Sequence, residues 1–429
     1  MKIFFYTLGC KVNQYESQAA AEHLEKSGHT IVNNINNADI VVVNSCTVTA
    51  ESDRKTRQAV RRFKRGDPDR IVVLMGCMPQ AVPDTAALLP EADIVIGNTD
   101  HTALADLIDE FSDEKERIVR ISSHEKDEVY CTPSIESFSE RTRAFMKIED
   151  GCDRWCTYCI IPRARGVIRS RSLSDISAEA KALSKNGFRE IVLVGINLTS
   201  YGKDTGYDIC DAVKAAAADG IERVRLGSIE PDHMSDELLD RLAAEEKFCP
   251  QFHLALQSGC DKTLKRMNRH YDTAFFDDLV KRIRAKFENA SITTDIMVGF
   301  AGESEKDFNE SVAFLKHIGF ARSHVFAYSK RSGTVAAALP DQVDEAEKSR
   351  RAGIMAEAAA ECERAFLKTQ IGKTEKVLFE QESDGYFEGY TENYTRVKVR
   401  ADINLTGQIL EVNLCEAKDD FCLGEGCNA

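Results

Sequence analysis

Short runs of apolar, β-branched residues recur along the chain, separated by stretches whose apolar positions repeat with a helical period. Residues 3–8 (IFFYTL), 40–44 (IVVVN), 71–74 (IVVL) and 94–96 (IVI) read as strands. Helical patterns fill 15–27, 51–65 and 79–89 between them. Strand alternating with helix predicts a parallel α/β sheet. A second series starts at Ala144, with strands at 144–149, 190–194, 223–228, 252–257, 291–298 and 323–328. Helical patterns near 174–187, 208–218, 235–246, 261–287, 304–317 and 342–369 follow them. Six such units predict a partial (β/α)6 barrel with its chemistry at the carboxyl ends of the strands. From 375 to 418 the pattern becomes strands with turns at Asp384-Gly385 and Thr406-Gly407, predicting a small β-barrel. The expected division is an N-terminal domain over 1–111, a polar connection over 112–143 with a strand at 117–121, a barrel over 144–341, a connecting helix over 342–371 and a β module over 372–429.

Composition narrows the class. With 429 residues, 43% hydrophobic and 29% charged, the chain is an ordinary globular protein, and wholesale disorder is excluded. A net charge of −14 argues against nonspecific coating of nucleic acid, though not against local basic patches. One such patch is Arg54 to Arg65 (RKTRQAVRRFKR), with seven basic residues, no acid and helical spacing. The apolar run from Ile3 to Leu8 is too short for an export signal and meets Lys11 at once, and no run reaches membrane-spanning length. Fourteen cysteines in such a chain suit metal chemistry in a reducing compartment rather than disulfides, so a cytoplasmic protein is expected.

The stretch Glu149-Asp150-Gly151-Cys152-Asp153-Arg154-Trp155-Cys156-Thr157-Tyr158-Cys159 follows the first barrel strand. Its C-x3-C-x2-C spacing can set three thiolates around one small loop. Thiolates anchor iron–sulfur clusters, and a cubane takes four ligands, so three local ones leave one iron open. Zinc would want a second cysteine pair or a paired-histidine motif downstream, and His233, His253 and His270 are not so spaced. With Tyr158 before the third cysteine, the loop closely resembles that of the radical S-adenosylmethionine (SAM) superfamily, where the open iron chelates SAM.

Cys10, Cys46 and Cys77 each fall within three residues of the end of a predicted strand of the first sheet. Ligands collect at the carboxyl ends of strands in open parallel sheets, so these thiols converge despite separations of 36 and 31 residues. The words Thr7-Leu8-Gly9-Cys10-Lys11-Val12-Asn13-Gln14, Val43-Asn44-Ser45-Cys46-Thr47 and Met75-Gly76-Cys77 resemble the amino-terminal domain of the methylthiotransferase family. The segment LALQSGCDKTLKRMNRHYD at 254–272 extends the likeness over almost the whole chain. Residues 372–429 resemble a TRAM domain, the RNA-binding module that ends such proteins. There Arg396, Lys398 and Arg400 share one face of a strand, and Tyr386, Phe387, Tyr390 and Tyr394 lie upstream. Against this stand twelve acids and six basic residues from Gly372 to Ala429.

The resemblance implies two 4Fe-4S clusters, an auxiliary one on Cys10, Cys46 and Cys77 and a radical one on Cys152, Cys156 and Cys159. It implies SAM as cofactor, an electron donor such as flavodoxin or ferredoxin, and insertion of a methylthio group at an unactivated carbon. The glycine-glycine-glutamate tripeptide common in radical SAM enzymes is replaced by Gly195-Ile196-Asn197, and a usual proline by Ala301. SAM contacts are expected from Tyr158 near the adenine, Asn197 and Glu230 near polar groups of the methionine or ribose, and Arg331 near a carboxylate. Arg163, Arg165, Arg169 and Arg171, just after the cluster loop, are expected to face a polyanion. Within the family, the Gly-Cys-Lys-Val-Asn-Gln word resembles the branch that modifies N6-threonylcarbamoyladenosine beside the tRNA anticodon. The isopentenyladenosine branch, the branch acting on a ribosomal-protein aspartate and, last, a noncatalytic iron–sulfur RNA-binding regulator remain alternatives. Cys131, Cys415, Cys422 and Cys427 receive no role.

Overall fold

The computed structural model describes residues 1–84, 89–99, 101–138 and 142–426. Strands β1 (Lys2–Thr7), β2 (Thr30–Ile31), β3 (Ile40–Ser45), β4 (Ile71–Gly76), β5 (Ile94–Ile96) and β6 (Ile118–Arg120) form one parallel sheet in the order β2-β1-β3-β4-β5-β6. β3 and β4 are buried at every position. Their alternate side chains enter two apolar clusters, Ile40 and Val42 on one face, Val41 and Val43 on the other. Cover on both faces explains why these strands read as unbroken apolar runs. β6, within the stretch expected to connect the domains, is the sixth strand of this sheet. The helix expected at 79–89 is only Cys77–Ala81, and residues 85–88 lie outside the described residues.

The second region starts with β7 (Arg143–Lys147). A short antiparallel pair, β8 (Glu149–Asp150) with β9 (Arg169–Ser170), brackets the cysteine loop. β10 (Glu190–Val194), β11 (Arg223–Leu226), β12 (Ser228–Ile229), β13 (Gln251–Leu254), β14 (Ser291–Val298) and β15 (Arg322–Ala327) follow, all parallel to their neighbours. All six predicted strands are present, and the third is broken at Gly227 into β11 and β12. The sheet therefore divides into two pieces, β11-β10-β7 and β12-β13-β14-β15. The helix expected over 261–287 is two, Asp261–Arg266 and Thr273–Lys286, separated by a turn in which Asn268 takes φ 60°.

The helix Glu345–Gln370 leads to a closed barrel of β16 (Thr374–Ser383), β17 (Tyr386–Thr391), β18 (Arg396–Arg400), β19 (Ile409–Ala417) and β20 (Cys422–Gly426). Asp384 and Gly385 both have positive φ, as a two-residue hairpin turn requires. This barrel docks on the second region through backbone carbonyls. Arg223 donates to Tyr390 O at 3.0 Å and Lys376 O at 2.6 Å, and Arg225 to Glu392 O at 2.8 Å. Tyr390 and Tyr394 stack on each other at 4.6 Å, with Arg143 5.0 Å from both rings. These two tyrosines anchor the docked barrel and do not form an open stacking face.

Candidate active site

The loop triad rests on one tight reversal. Gly151 has φ +93°, and a Cβ there would sit 1.8 Å from the Val167 carbonyl oxygen. A side chain at this point would push the loop off β9. Cys152 N then donates to Gly166 O, and Cys159 N to Cys156 O, closing the turn that carries the three sulfurs. Arg269, from the turn between the split helices, donates to Cys156 Sγ at 3.3 Å and pairs with Glu230. Arg154 pairs with Asp232 and donates to His270 Nδ1 at 2.8 Å. Glu230, expected near SAM, is thus brought to the mouth of the cysteine loop. Tyr158 is half-buried, its ring edge-on to Phe300 at 6.3 Å.

Asn197 also reaches this mouth. Its backbone N–H donates to Glu149 Oε2 at 2.8 Å, and Gly195 leaves room for that carboxylate, since a Cβ there would stand 2.6 Å from it. Burial raises the Glu149 carboxyl well above the usual range. Glu149 Oε1 and Asn197 Oδ1 are buried with no hydrogen-bond partner. Two orphaned acceptors beside the cysteine loop fit a ligand with polar donors, such as the amino and hydroxyl groups of SAM.

The strand-end triad is assembled by the sheet. Cys10 caps the helix Lys11–Lys26, Cys46 follows β3, and Cys77 opens its helix directly after β4. Gly76 takes φ +99°, and a Cβ there would lie 2.4 Å from Asn44 Oδ1. Asn13 and Asn44 lock the strand ends together. Cys10 Sγ donates to Asn13 Oδ1 at 3.2 Å, and Asn13 Nδ2 donates to Asn44 Oδ1 at 3.0 Å and Ser45 O at 3.1 Å. Every cysteine among the described residues carries a free thiol.

Both triads fit a cluster electrostatically. Burial pushes the Cys10, Cys46 and Cys77 thiols up, and each also feels the charge of a neighbouring thiol of its triad. Burial pushes Cys159 up to about 12 and raises Cys152 as well. A buried thiol gives up its proton more readily with a cation beside it, which coordination to iron would supply.

A buried ionic network joins the two triads. Arg165 is fully buried and donates Nε–H to Cys77 Sγ at 3.2 Å. Its other nitrogens bond Glu16, at 2.9 Å to Oε2, and Asp150 at 3.4 Å. Lys147 donates to Glu16 and Asp150, each at 2.7 Å, and Asp150 Oδ1 accepts from Gly151 N at 2.9 Å. The expectation that this arginine series faces a polyanion is therefore corrected. Arg165, Arg169 and Arg171 are buried and paired, Arg169 with Glu128 at 2.5 Å and Arg171 with Glu179 at 2.6 Å. Only Arg163 of the four is exposed. Arg331 donates to Asp53 at 2.5 Å and Thr47 at 2.6 Å, so its guanidinium ties the last barrel strand end to the first domain beside Cys46.

Lys147, Asp150, Glu16 and Arg269 were not expected at the site. Arg269 lay inside a segment read as continuous helix, and although Asp150 belongs to the cysteine-loop stretch, nothing in the sequence pairs it with Glu16 or Lys147. A cavity of about 840 Å³ opens along β1 and is lined by Phe4, Glu25, Asn33, Phe138 and Glu380 among others, with none of the six cysteines in its wall. Cys131 and Cys415 are exposed, Cys422 lies in the core of the small barrel, and Cys427 lies outside the described residues.

This geometry defines a radical SAM protein, and comparison with known proteins agrees. Residues 146–315 match the radical SAM superfamily, and residues 2–97 match an uncharacterized protein family, UPF0004. The chain is 35% identical to the threonylcarbamoyladenosine tRNA methylthiotransferase MtaB of Bacillus subtilis, over 97% of this chain and 94% of the relative. It is 37% identical to the MtaB of Thermotoga maritima, over 91% of this chain and 89% of the relative. A tRNA-2-methylthio-N(6)-dimethylallyladenosine synthase of Pelotomaculum thermopropionicum is 32% identical over 96% and 94%. Among solved structures, the radical SAM methyltransferase TsrM of Kitasatospora setae shares the fold, with TM-score 0.58, 13% identity, and 78% and 77% coverage. The chain belongs to the radical SAM tRNA methylthiotransferase family.

Proposed function

We infer that this chain converts N6-threonylcarbamoyladenosine in the anticodon loop of tRNA to its 2-methylthio derivative, using SAM and two 4Fe-4S clusters. The observation that carries this reading is the second triad. A radical SAM enzyme needs only Cys152, Cys156 and Cys159, and a sulfur-inserting one needs a further site at which sulfur is held. Cys10, Cys46 and Cys77 supply that site, tied by Arg165 to the loop that carries the first. The relatives at 35% and 37% identity, both named for threonylcarbamoyladenosine, favour that substrate over the dimethylallyl nucleoside named for a relative at 32%.

In this reading each triad holds one cluster, and together with SAM they supply the homolytic C–H chemistry that no acid or base side chain offers. Glu149, Asn197 and Glu230 line the mouth where SAM sits, with Tyr158 against its adenine. Arg331 closes the seam between the domains, so its part in holding SAM is indirect. Arg269 and Arg165 each donate to one cluster sulfur and hold it in place. The domain division at 1–111, 144–341 and 372–429, a TRAM identity for the last segment, a flavodoxin or ferredoxin as electron donor and a cytoplasmic location belong to the same reading. Among the described residues no helix is long and apolar enough to cross a membrane.

Nucleoside mass spectrometry of tRNA from cells lacking the protein tests the assignment. Loss of 2-methylthio-N6-threonylcarbamoyladenosine, with the methylthiolated isopentenyl nucleoside retained, is the expected result. The opposite pattern would move the chain to the isopentenyl branch.

A further inference from the structure

The inner face of the partial barrel is polar below the cluster mouth. Glu190 on β10 stands beside Arg143 on β7 and Arg225 on β11, in register with the first and bonded to the second at 2.9 Å. Arg143 also pairs with Glu380 of the small barrel. His253 on β13 contacts Asp295 on β14 at 3.3 Å, and the ring of His324 on β15 lies 6.0 Å from that of His253. Two residues further along the same face, Phe326 leaves 50% of its surface exposed.

Lys11 reaches this space from the first domain. It opens the helix that begins at Cys10, and its ammonium lies 5.6 Å from the centre of the Phe145 ring. The charges of Tyr394, Arg143, Arg225 and Glu190 act on it, and its own charge acts on His324. The nearby arginines use up the nearby acids, since Arg143 pairs with Glu380 and Glu190 and Arg225 with Glu190. Among the described residues no carboxylate lies within ion-pairing distance of Lys11, whose side chain is exposed. With the nearby acids already paired, the Lys11 ammonium is left available to an anion from outside.

We propose that Lys11 pairs with the carboxylate of the threonylcarbamoyl group and thereby selects N6-threonylcarbamoyladenosine. The proposal rests on the reading above. On adenine, C2 and the N6 substituent flank the same ring nitrogen. A base that presents C2 to sulfur held among Cys10, Cys46 and Cys77 would bring its N6 substituent to the same side, and Lys11, at the start of the helix that Cys10 caps, stands on that side of the first domain. Phe326 offers the purine an apolar platform on the far wall. An isopentenyl group in the same place would cover part of the ammonium with hydrocarbon and offer it no counter-charge.

The test uses the full-length protein with both clusters reconstituted, and two forms of one tRNA, with and without threonylcarbamoyl at the target adenosine. The wild type binds the modified form more tightly. In Lys11→Met this preference falls roughly 10- to 100-fold, the range of a charge-assisted hydrogen bond, while affinity for the unmodified form and iron content stay unchanged. Lys11→Arg keeps the preference. Equal weakening toward both tRNAs would make Lys11 a phosphate contact and overturn the proposal, as would an unaltered preference. If the wild type itself forms no methylthio product from the modified tRNA, the underlying substrate reading fails with it. If the wild type forms product and Lys11→Met discriminates normally, only the role of Lys11 fails.

Discussion

Cys152, Cys156 and Cys159 come from one turn of eight residues, whereas Cys10, Cys46 and Cys77 come from three strand ends spread over 68. The loop triad is shaped by its own backbone, with Gly151 and the pairing of β8 and β9 sufficient to bend it. The strand-end triad is shaped by a sheet and completed from outside its domain, because the group on Cys77 Sγ is Arg165 of the barrel region. A distributed site of this kind is only as well ordered as the interface that finishes it. The loop triad needs only its own barrel. Damage at the interface should therefore fall on one triad and spare the other.

The largest effect that would sharpen this contrast is expected at Arg165. Arg165→Met leaves Glu16 and Asp150 buried with one cation fewer and should destabilise the protein by about 3–5 kcal/mol. Denaturant unfolding should show this, and auxiliary iron should be lost before radical-cluster iron. The pair Glu16→Gln with Arg165→Met should recover part of that stability. Equal loss of iron from both sites would break the distinction.

Arg269→Met should act on the other side. Removing a charged donor from Cys156 Sγ and from Glu230 is worth about 1.5–3 kcal/mol per bond. SAM affinity, measured by calorimetry, should fall while auxiliary iron stays bound.

The smallest effect concerns RNA, where the two basic segments also differ. On the helix Ala50–Gly66, Lys55, Arg57, Arg62 and Arg65 have no carboxylate partner among the described residues, although Arg54 pairs with Glu51 and Lys64 with Asp93. On β18, Arg396 pairs with Glu388 and Asp420, both at 2.6 Å, and Lys398 lies 3.8 Å from Glu388. Alanine at Lys55, Arg62 and Arg65 should flatten the salt dependence of tRNA binding by about 0.7–0.9 log units for each phosphate no longer neutralised. Alanine at Arg396, Lys398 and Arg400 should change it less, since two of those charges already face carboxylates.

How far the sequence could be read follows the same division. The loop triad was legible because its cysteines are neighbours in the chain. The strand-end triad was legible one step further on, because alternating strands and helices force strand ends to one edge. The network between them was not. Arg165 looks like any surface arginine until Glu16 and Asp150, 149 and 15 residues away, are folded against it. Arg269 was hidden because the apolar period runs through the break after Arg266, and only the left-handed Asn268 turns that segment toward the cysteines. Tyr390 and Tyr394 were read as part of a stacking face upstream of the basic strand, since nothing local says that Arg143 and Arg225 will cover them.

Iron content and SAM cleavage, measured side by side on three proteins, test the account most directly. The wild type after anaerobic reconstitution should hold about eight irons, as two cubanes. Alanine at Cys152, Cys156 and Cys159 should halve the iron and abolish SAM cleavage. Alanine at Cys10, Cys46 and Cys77 should also halve it and leave SAM cleavage measurable. About four irons in the fully reconstituted wild type would contradict the two-cluster account, and so would loss of SAM cleavage in the strand-end variant with its radical cluster intact.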